Sequence, residues 1–465
     1  MPIIIPANSA ADSLGYQVTN SLRFDESDDC LIKTFGSAGN RKLWTYSVWF
    51  KRGKVGTSVA LFVAGASGGN DEGTIRIEGD KIDWQNYDVS DNATDSQLLT
   101  LQLIRDPSAW YHLVCSWDSA NSTAGNRMRM YLNGTEITSF ATDNNPTLNY
   151  DTATNNAVLH NIGRQSWNSA SDYSGYMAEI CFIDGAALTP TSFGEFDGDS
   201  GIWKPKDDLA GDLTFGNNGF YLEFKQSGTG TDASGMGADT SGEGNHWAVN
   251  NLTAINQTTD SCTNNFATLN PIDNGYGTII FTDGNTQGEG SGSGWKPARG
   301  SMGLSSGKWY WEMNMTGSNQ MGVSNETIDM DNDNAQDLVG VTVFYNASGG
   351  IIRTDGSQVG GTTATFASDG SDVAGYALDM DNKKLSIYKN GSIIVTNTAL
   401  STSITNFALP FFSVNGGGTW SVNFGNPSVA LNSAVADGNG YGAFEYAPPT
   451  GYFALCTINL SKEMS

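Results

Sequence analysis

Along most of the chain, short runs of alternating apolar and polar residues are separated by brief stretches of Gly, Asn, Asp and Ser. In Leu43-Trp-Thr-Tyr-Ser-Val-Trp-Phe50 the apolar residues Trp44, Tyr46, Val48 and Phe50 recur at every second position, the period of a strand with one buried face. Thr74–Glu78 and Lys81–Asn86, split by Gly79-Asp80, predict a hairpin. Trp110–Trp117, Val158–Gly163 and Gly175–Ile183 predict further strands. Two distant stretches share one pattern: Arg127-Met-Arg-Met-Tyr-Leu-Asn-Gly-Thr-Glu-Ile137 and Lys384-Leu-Ser-Ile-Tyr-Lys-Asn-Gly-Ser-Ile-Ile394. Each is a strand, an Asn-Gly turn and the start of a second strand. A type I′ turn needs positive φ at both central residues, and Asn-Gly supplies it. The pattern predicts an all-β chain built twice on one plan, as two antiparallel β-sandwiches of jelly-roll type.

The predicted organisation is an extended arm over residues 1–14, one sandwich over 15–195, a Gly/Ser/Asp-rich connector over 196–265 and a second sandwich over 266–465. The connector thins into segments such as Gln226-Ser-Gly-Thr-Gly-Thr-Asp-Ala-Ser-Gly-Met-Gly237, which cannot build a core alone. Aromatic islands at Phe220–Phe224 and Asn245–Trp247 predict that it packs on its neighbours. The arm carries Ile3, Ile4 and Ile5 between prolines. It reads either as a strand of its own domain or as an assembly arm that adds to a partner's sheet edge.

Composition narrows the function more than the fold. With 49 acidic and 24 basic residues the formal charge is −25, which repels nucleic-acid phosphates and anionic lipid. Nucleic acid is therefore not an expected partner. No segment approaches the roughly 20 apolar residues of a membrane span, so no membrane insertion is expected. Met1–Ser9 lacks the basic region and the long apolar run of a signal peptide, so the expectation is synthesis in a cytoplasm and, for work outside the cell, release by lysis. Cys30, Cys115, Cys181, Cys262 and Cys456 are odd in number and widely spaced, which fits neither a disulfide framework nor a zinc site.

Catalytic patterns are missing. His112, His160 and His246 are the three histidines, and no GxSxG, HExxH, Walker or dinucleotide glycine motif occurs in its required context. Glu78, Glu136 and Glu179 stand singly on their strands rather than as the carboxylate pair that flanks a glycosidic bond. The expectation is that the chain is not an enzyme. Asp329, Asp331, Asp333 and Asp337 occupy positions 1, 3, 5 and 9 of a calcium loop. Position 6, normally glycine, is Asn334, and position 12, normally glutamate, is Gly340. No cofactor is required on this reading. The loop is either solvated or a loose calcium site. Trp84, Tyr87, Trp167 and Tyr173 stand near Asn, Asp and Ser in turn-rich sequence. They read either as rings that stack on a sugar or as the rim of the core.

Several of these segments resemble known families. Trp110-Tyr-His-Leu-Val114, Met130-Tyr-Leu-Asn-Gly-Thr135, Asn161-Ile-Gly-Arg164 and Gly175-Tyr-Met-Ala-Glu-Ile180 followed by Asp184-Gly-Ala-Ala-Leu188 resemble the concanavalin A-like jelly rolls of the laminin-G and pentraxin kind. Gly307-Lys-Trp-Tyr-Trp-Glu-Met313, Met321–Ser324, Gly375–Asn382, Leu409–Ser413 and Trp420–Gly425 fall in the order of a SPRY-like sandwich, with Asp329–Asn334 lengthening one loop. Pro2–Ser9, Asn245–Leu252 and Asn264–Pro271 resemble segments of predicted virion proteins of marine bacteriophages. These resemblances imply a non-catalytic bacteriophage virion protein, exposed on tail or capsid. The expected role is a tail fibre or adsorption appendage that binds host-surface polysaccharide alongside other virion proteins. Homo-oligomerisation, with a trimer as the expected form, is carried over from fibres generally. The alternatives left open are a head fibre, capsid decoration or tail-wall protein that binds only virion proteins, and a glycan-depolymerising tailspike.

Overall fold

The computed structural model describes residues 15–26, 28–65, 71–90, 92–165, 171–275, 277–345, 350–362 and 364–463. The Ile3–Ile5 arm lies outside them. The chain divides into two units, one over Ser13–Thr263 and one that begins at Asn264 and runs to Ser465. Each is a pair of antiparallel sheets closed on a shared apolar core, so the fold is nearly all-β.

In the first unit one sheet runs, in spatial order, Thr135–Glu136, Met128–Leu132, Trp110–Asp118, Leu43–Arg52, Ser174–Asp184, Ser21–Asp25 and Gln257–Thr258. The facing sheet runs Phe140–Asn144, Ala93–Leu103, Lys81–Asp88, Glu72–Glu78, Val59–Ala64, Leu159–Ile162, Cys30–Thr34 and Ala248–Asn250. In the second unit one sheet is ordered Ser392–Ala399, Lys384–Lys389, Asp369–Asp379, Lys308–Thr316, Thr419–Asn423, Gln287–Ser291 and Thr278–Thr282. Its partner runs from Leu269–Asn274 through Trp295–Gly300, Leu409–Asn415, Ser318–Ser324, Val341–Tyr345 and Ile351–Thr354 to Ser357–Gly361.

The first sheet of each unit repeats one arrangement. An Asn-Gly hairpin forms the edge, the strand before it in sequence lies next, then an earlier long strand, then a late one. Asn133 and Gly134 have φ of 48° and 79°, and Asn390 and Gly391 have 49° and 76°, as the type I′ turn demands. The asparagine oxygen accepts the N–H of His112 in one unit and of Val373 in the other, each at 2.8 Å. A later aromatic ring then covers each glycine. A Cβ on Gly134 would run into the Trp203 ring, and one on Gly391 would lie 2.7 Å from Tyr446 Cδ1.

Trp44, Trp84 and Trp117 meet in the middle of the first core with centroids 5.6–5.9 Å apart, Trp84 coming from the facing sheet. Much of the outer face of the first sheet is covered, although Arg129 near its edge stays partly exposed. The chain after Asp184 crosses it and closes second apolar clusters, Phe193, Leu209, Phe215 and Tyr221 against Val114 and Cys181, and Trp203 against Trp49. Phe220–Leu222, Ala248–Asn250 and Gln257–Thr258 add strands to both sheets. Residues 196–263, expected as a connector, are therefore built into the first unit. Lys51 Nζ pairs with Asp260 at 2.8 Å, both side chains fully buried, and Trp110 Nε1 donates to the other Asp260 oxygen at 3.1 Å.

His112 is a packed imidazole. Trp203 Nε1 donates to its Nδ1 at 2.9 Å, leaving Nε2 to donate to Ser47 Oγ at 2.8 Å, and burial pushes its pKa down to about 3. All five cysteines are free thiols.

The covered turns make a test. Gly134→Ala must adopt positive φ and displace Trp203, so a destabilisation of about 1–3 kcal/mol is expected. Gly417→Ala, with open space around its Cβ position, should stay within about 0.5 kcal/mol of the parent. Urea denaturation followed by tryptophan fluorescence measures both. Equal effects would remove the role given to the ring.

Candidate functional site

The strand period separates two of the aromatic candidates. On Lys81–Asp88, Ile82, Trp84 and Asn86 face the core, and Trp84 is 1% exposed among its two tryptophan neighbours. Tyr173 is fully buried; its hydroxyl donates to Lys51 O at 2.9 Å and its ring meets Phe24 edge-on. Neither ring is offered to a ligand, which corrects the expectation for both. Trp167 lies outside the described residues. Tyr87, three residues beyond Trp84, falls on the opposite face and stays half-buried, donating to Asn92 Oδ1 at 2.5 Å.

That outer face is polar and built in register. Tyr87 stands opposite Glu72, Gln85 between Thr74 and Gln97, and Asp83 between Arg76 and Leu99. Asp83 accepts from Arg76 Nε at 2.9 Å and from Gln97 Nε2 at 2.8 Å. Burial raises its pKa, and Gln97 and Arg76 oppose the rise. Burial likewise pushes Glu72 up to about 7. Thr74 Oγ1 is buried without a partner. Amide, guanidinium, carboxylate and phenol groups thus lie along neighbouring strands, able to donate and accept in turn.

The acidic loop does not form a cage. Asp329, Asp331 and Asp333 are exposed: Asp329 Oδ1 accepts the Asp331 N–H at 3.0 Å, and Asp333 Oδ1 accepts Asn334 Nδ2 at 2.8 Å. Asp337 turns away to pair with Arg353 at 2.8 Å. Among the described residues no group of three or more His, Cys, Asp or Glu is placed to hold a metal ion. The spacing 1, 3, 5, 9 gathers carboxylates only when a tight glycine turn wraps them, and Asn334 instead leads into the single turn Ala335–Asp337.

Folding does assemble a groove that the sequence reading missed, in the second unit. Glu312 and Asn314 on Lys308–Thr316, Val373 on Asp369–Asp379, and Ser421 and Asn423 on Thr419–Asn423 share the outer face of one sheet and form its floor. Residues 427–432 and 445–446 form the walls. Glu312 is 2% exposed and its carboxylate accepts the backbone N–H groups of Glu445 at 2.7 Å and Tyr446 at 2.8 Å, with Tyr310 Oη at 3.2 Å. Burial pushes its pKa up to about 7 against the pull of those donors. Both oxygens being engaged, it positions the wall and is not free to move a proton to a ligand. Its signal in the sequence was a lone carboxylate in the otherwise aromatic Lys308–Met313.

Glu179 is a comparable case in the first unit. It sits at φ 50° where the register with Leu43–Arg52 shifts, 3% exposed, and both Tyr16 and Tyr221 donate to its Oε2. Burial raises its pKa to about 7, the Tyr221 hydroxyl opposes this and the nearby Glu223 adds to it. Glu223 is itself paired with Lys225. Glu78 and Glu136 are tied to Arg76 and Arg129 at 3.4 and 3.2 Å. None of these three glutamates forms a carboxylate pair facing an open cleft.

One family model agrees with the fold of the first unit. Residues 25–192 match the family model described as the concanavalin A-like lectin/glucanases superfamily. No curated protein matches. Among solved structures, the stonustoxin structure is 19% identical, with a TM-score of 0.28 over 34% of this chain and 27% of that one. The SPRY domain of human HERC1 is also 19% identical, with a TM-score of 0.28, over 33% of this chain and 96% of that domain. A putative carbohydrate binding protein from Bacteroides ovatus is 14% identical, with a TM-score of 0.33 over 52% of this chain and 60% of that one. The chain thus spans 27% and 60% of the first and last of these relatives.

The raised pKa of Glu179 has a testable sign. The folded state keeps a proton that the unfolded chain releases near the ordinary glutamate value of 4.5, so this contribution to stability is full below that value and is lost as the pH rises to about 7. Glu179→Gln retains a carbonyl acceptor for both tyrosines and removes the ionisation. Urea denaturation at about pH 5 and about pH 7.5 should show the parent losing more stability than the variant, by on the order of 1–3 kcal/mol. Parallel losses would show that Glu179 titrates normally.

Proposed function

We propose that the chain is a non-catalytic glycan-binding protein of a bacteriophage virion, carried on a tail fibre or similar adsorption appendage. The observation that carries glycan binding is the outer face around Tyr87, Gln85, Gln97 and the Arg76–Asp83 pair, on the unit that matches a lectin and glucanase family model. A half-exposed ring offers a surface to sugar C–H groups, while the amides and the Arg76 guanidinium, held by the buried Asp83, meet hydroxyls. Arg76 and Gln97 already hold the two oxygens of Asp83, which favours binding over cleavage at that carboxylate. Assignment to a virion rests on the resemblance of Pro2–Ser9, Asn245–Leu252 and Asn264–Pro271 to phage virion segments. Self-association and partner virion proteins follow from that part of the proposal.

Purified protein should bind host-surface polysaccharide without shortening it. Tyr87→Ala should weaken binding by about 1–3 kcal/mol, the loss of one stacking anchor, with thermal melting unchanged. Trp84→Ala should instead destabilise the first unit by about 3–5 kcal/mol, because it empties the core. Release of reducing sugar ends would end the non-catalytic reading. No binding to any polysaccharide would favour the rival in which both sandwiches contact only virion proteins. A chelator should leave this binding intact, since Asp329, Asp331, Asp333 and Asp337 belong to the other unit; loss of binding would show a calcium requirement of the first unit itself.

Virion assembly has its own test. Deleting residues 1–9, with Ile3, Ile4 and Ile5, should reduce incorporation into particles while both sandwiches stay folded, since a β-branched triplet needs a partner edge. Normal incorporation of the truncated chain would remove the arm.

A further inference from the structure

We propose that the groove over Glu312 is a separate binding site for a neutral hexose residue, within the second unit and independent of the Tyr87 face. The groove holds about 230 Å³ of space and is partly open to solvent. That falls a little below the range of about 300–1,000 Å³ typical of drug-sized sites, which suits a single sugar ring. Its floor is set by the sheet, where Asn314 pairs with Ser421 across one strand boundary and with Val373 across the other, just before the register shifts. Its walls are held before any ligand arrives. Asn432 donates its backbone N–H and Nδ2 to the two Glu445 oxygens at 2.8 and 3.0 Å, and Asn423 Nδ2 donates to Ala443 O at 2.8 Å. A fixed cleft binds without a large ordering penalty.

The lining chooses the ligand. It offers amide and hydroxyl groups beside apolar patches from Val373, Pro427, Val429 and Leu431. A pyranose presents the same mixture, hydroxyls around an apolar C–H face. Among the described residues no lysine or arginine lines the groove, while Glu312 and Glu445 do. An anionic sugar such as a uronate would therefore meet uncompensated negative charge. An amine is the other candidate for an acidic groove. It is disfavoured because Glu312 already accepts two backbone N–H groups and Glu445 already holds Asn432. Asn314, Asn423 and Asn432 also spend their Nδ2 donors on protein oxygens, so a neutral ligand is met mainly by the Ser421 and Ser428 hydroxyls, 3.3 Å apart.

The test uses the full chain and ligand-observed NMR with glucose, galactose and mannose trisaccharides, glucosamine and glucuronate as probes. At least one neutral trisaccharide should bind, and Ser421→Tyr, which fills the floor from the outer face, should weaken it by about tenfold or more. Tyr87→Ala should leave this component in place. Val429→Arg, at a position 44% exposed and thus tolerant of change, should admit glucuronate. Unchanged melting curves show that each variant folds. If glucosamine binds in preference to every neutral sugar, or Ser421→Tyr binds like the parent, or Val429→Arg still rejects glucuronate, the proposal is overturned. If Tyr87→Ala removes all sugar binding and Ser421→Tyr removes none, the second site is lost and the first reading stands. Loss with Ser421→Tyr alone leaves the groove and ends the role of the Tyr87 face.

Discussion

One buried ion pair governs the first unit. Lys51 lies on the outer face of a central strand, where a lysine would ordinarily reach water, and Asp260 arrives more than two hundred residues later to meet it. Neither charge is tolerable alone in that setting: removing one partner of such a pair typically costs about 3–5 kcal/mol. The chain between them is thereby committed to crossing the sheet. Its crossing closes the Phe193, Leu209, Phe215 and Tyr221 cluster and sets Trp203 on His112 and Gly134. The second unit solves the same problem with a different bond. There Glu312 takes backbone N–H groups from the returning chain, and Phe444, Cys456 and Ile458 pack on Tyr310 beside it.

These two solutions leave different things over the outer face of the sheet, an apolar cover in the first unit and a polar groove in the second. An ion pair between side chains draws its segment flat against the sheet, and apolar side chains fill what remains. A carboxylate that holds two successive backbone groups fixes only residues 445 and 446, so the preceding stretch arches over the polar floor. The same difference bears on chemistry. A carboxylate whose two oxygens are engaged by main-chain donors cannot also serve as a mobile acid, so the groove is organised for contact rather than for bond cleavage.

Local rules carried most of what was legible in the sequence. Both Asn-Gly hairpins form as their turn chemistry requires, and the alternating strands sit in antiparallel sheets. Trp84 and Tyr87 show where local reading stops. They look like neighbours in sequence, yet an odd separation along a strand puts them on opposite faces, one in the core and one outside. Residues 196–263 lack the periodicity of a core, yet Trp203, Leu209 and Phe215 cover the outer face of a sheet already made, and Phe220, Leu222, Met236 and Trp247 join the core between the sheets. The four aspartates had the spacing of a calcium loop without the glycine that would bend it. Glu312 and Glu179 were visible as lone charges in apolar strands; what they hold came from segments too distant for any pattern to join.

The rings over the two Asn-Gly turns bear on how long the molecule lasts. Asn-Gly bonds age chemically when the glycine nitrogen attacks the asparagine side-chain carbonyl and closes a succinimide ring. That attack needs a free amide and a pliable backbone. Here each asparagine oxygen is fixed by the N–H of the adjacent strand, and each glycine lies beneath Trp203 or Tyr446. The sequence feature that makes the hairpins easy to form is also the one most prone to deamidation. Roofing it converts a chemical weak point into a slow clock, set by how often the ring lifts rather than by the intrinsic lability of the bond.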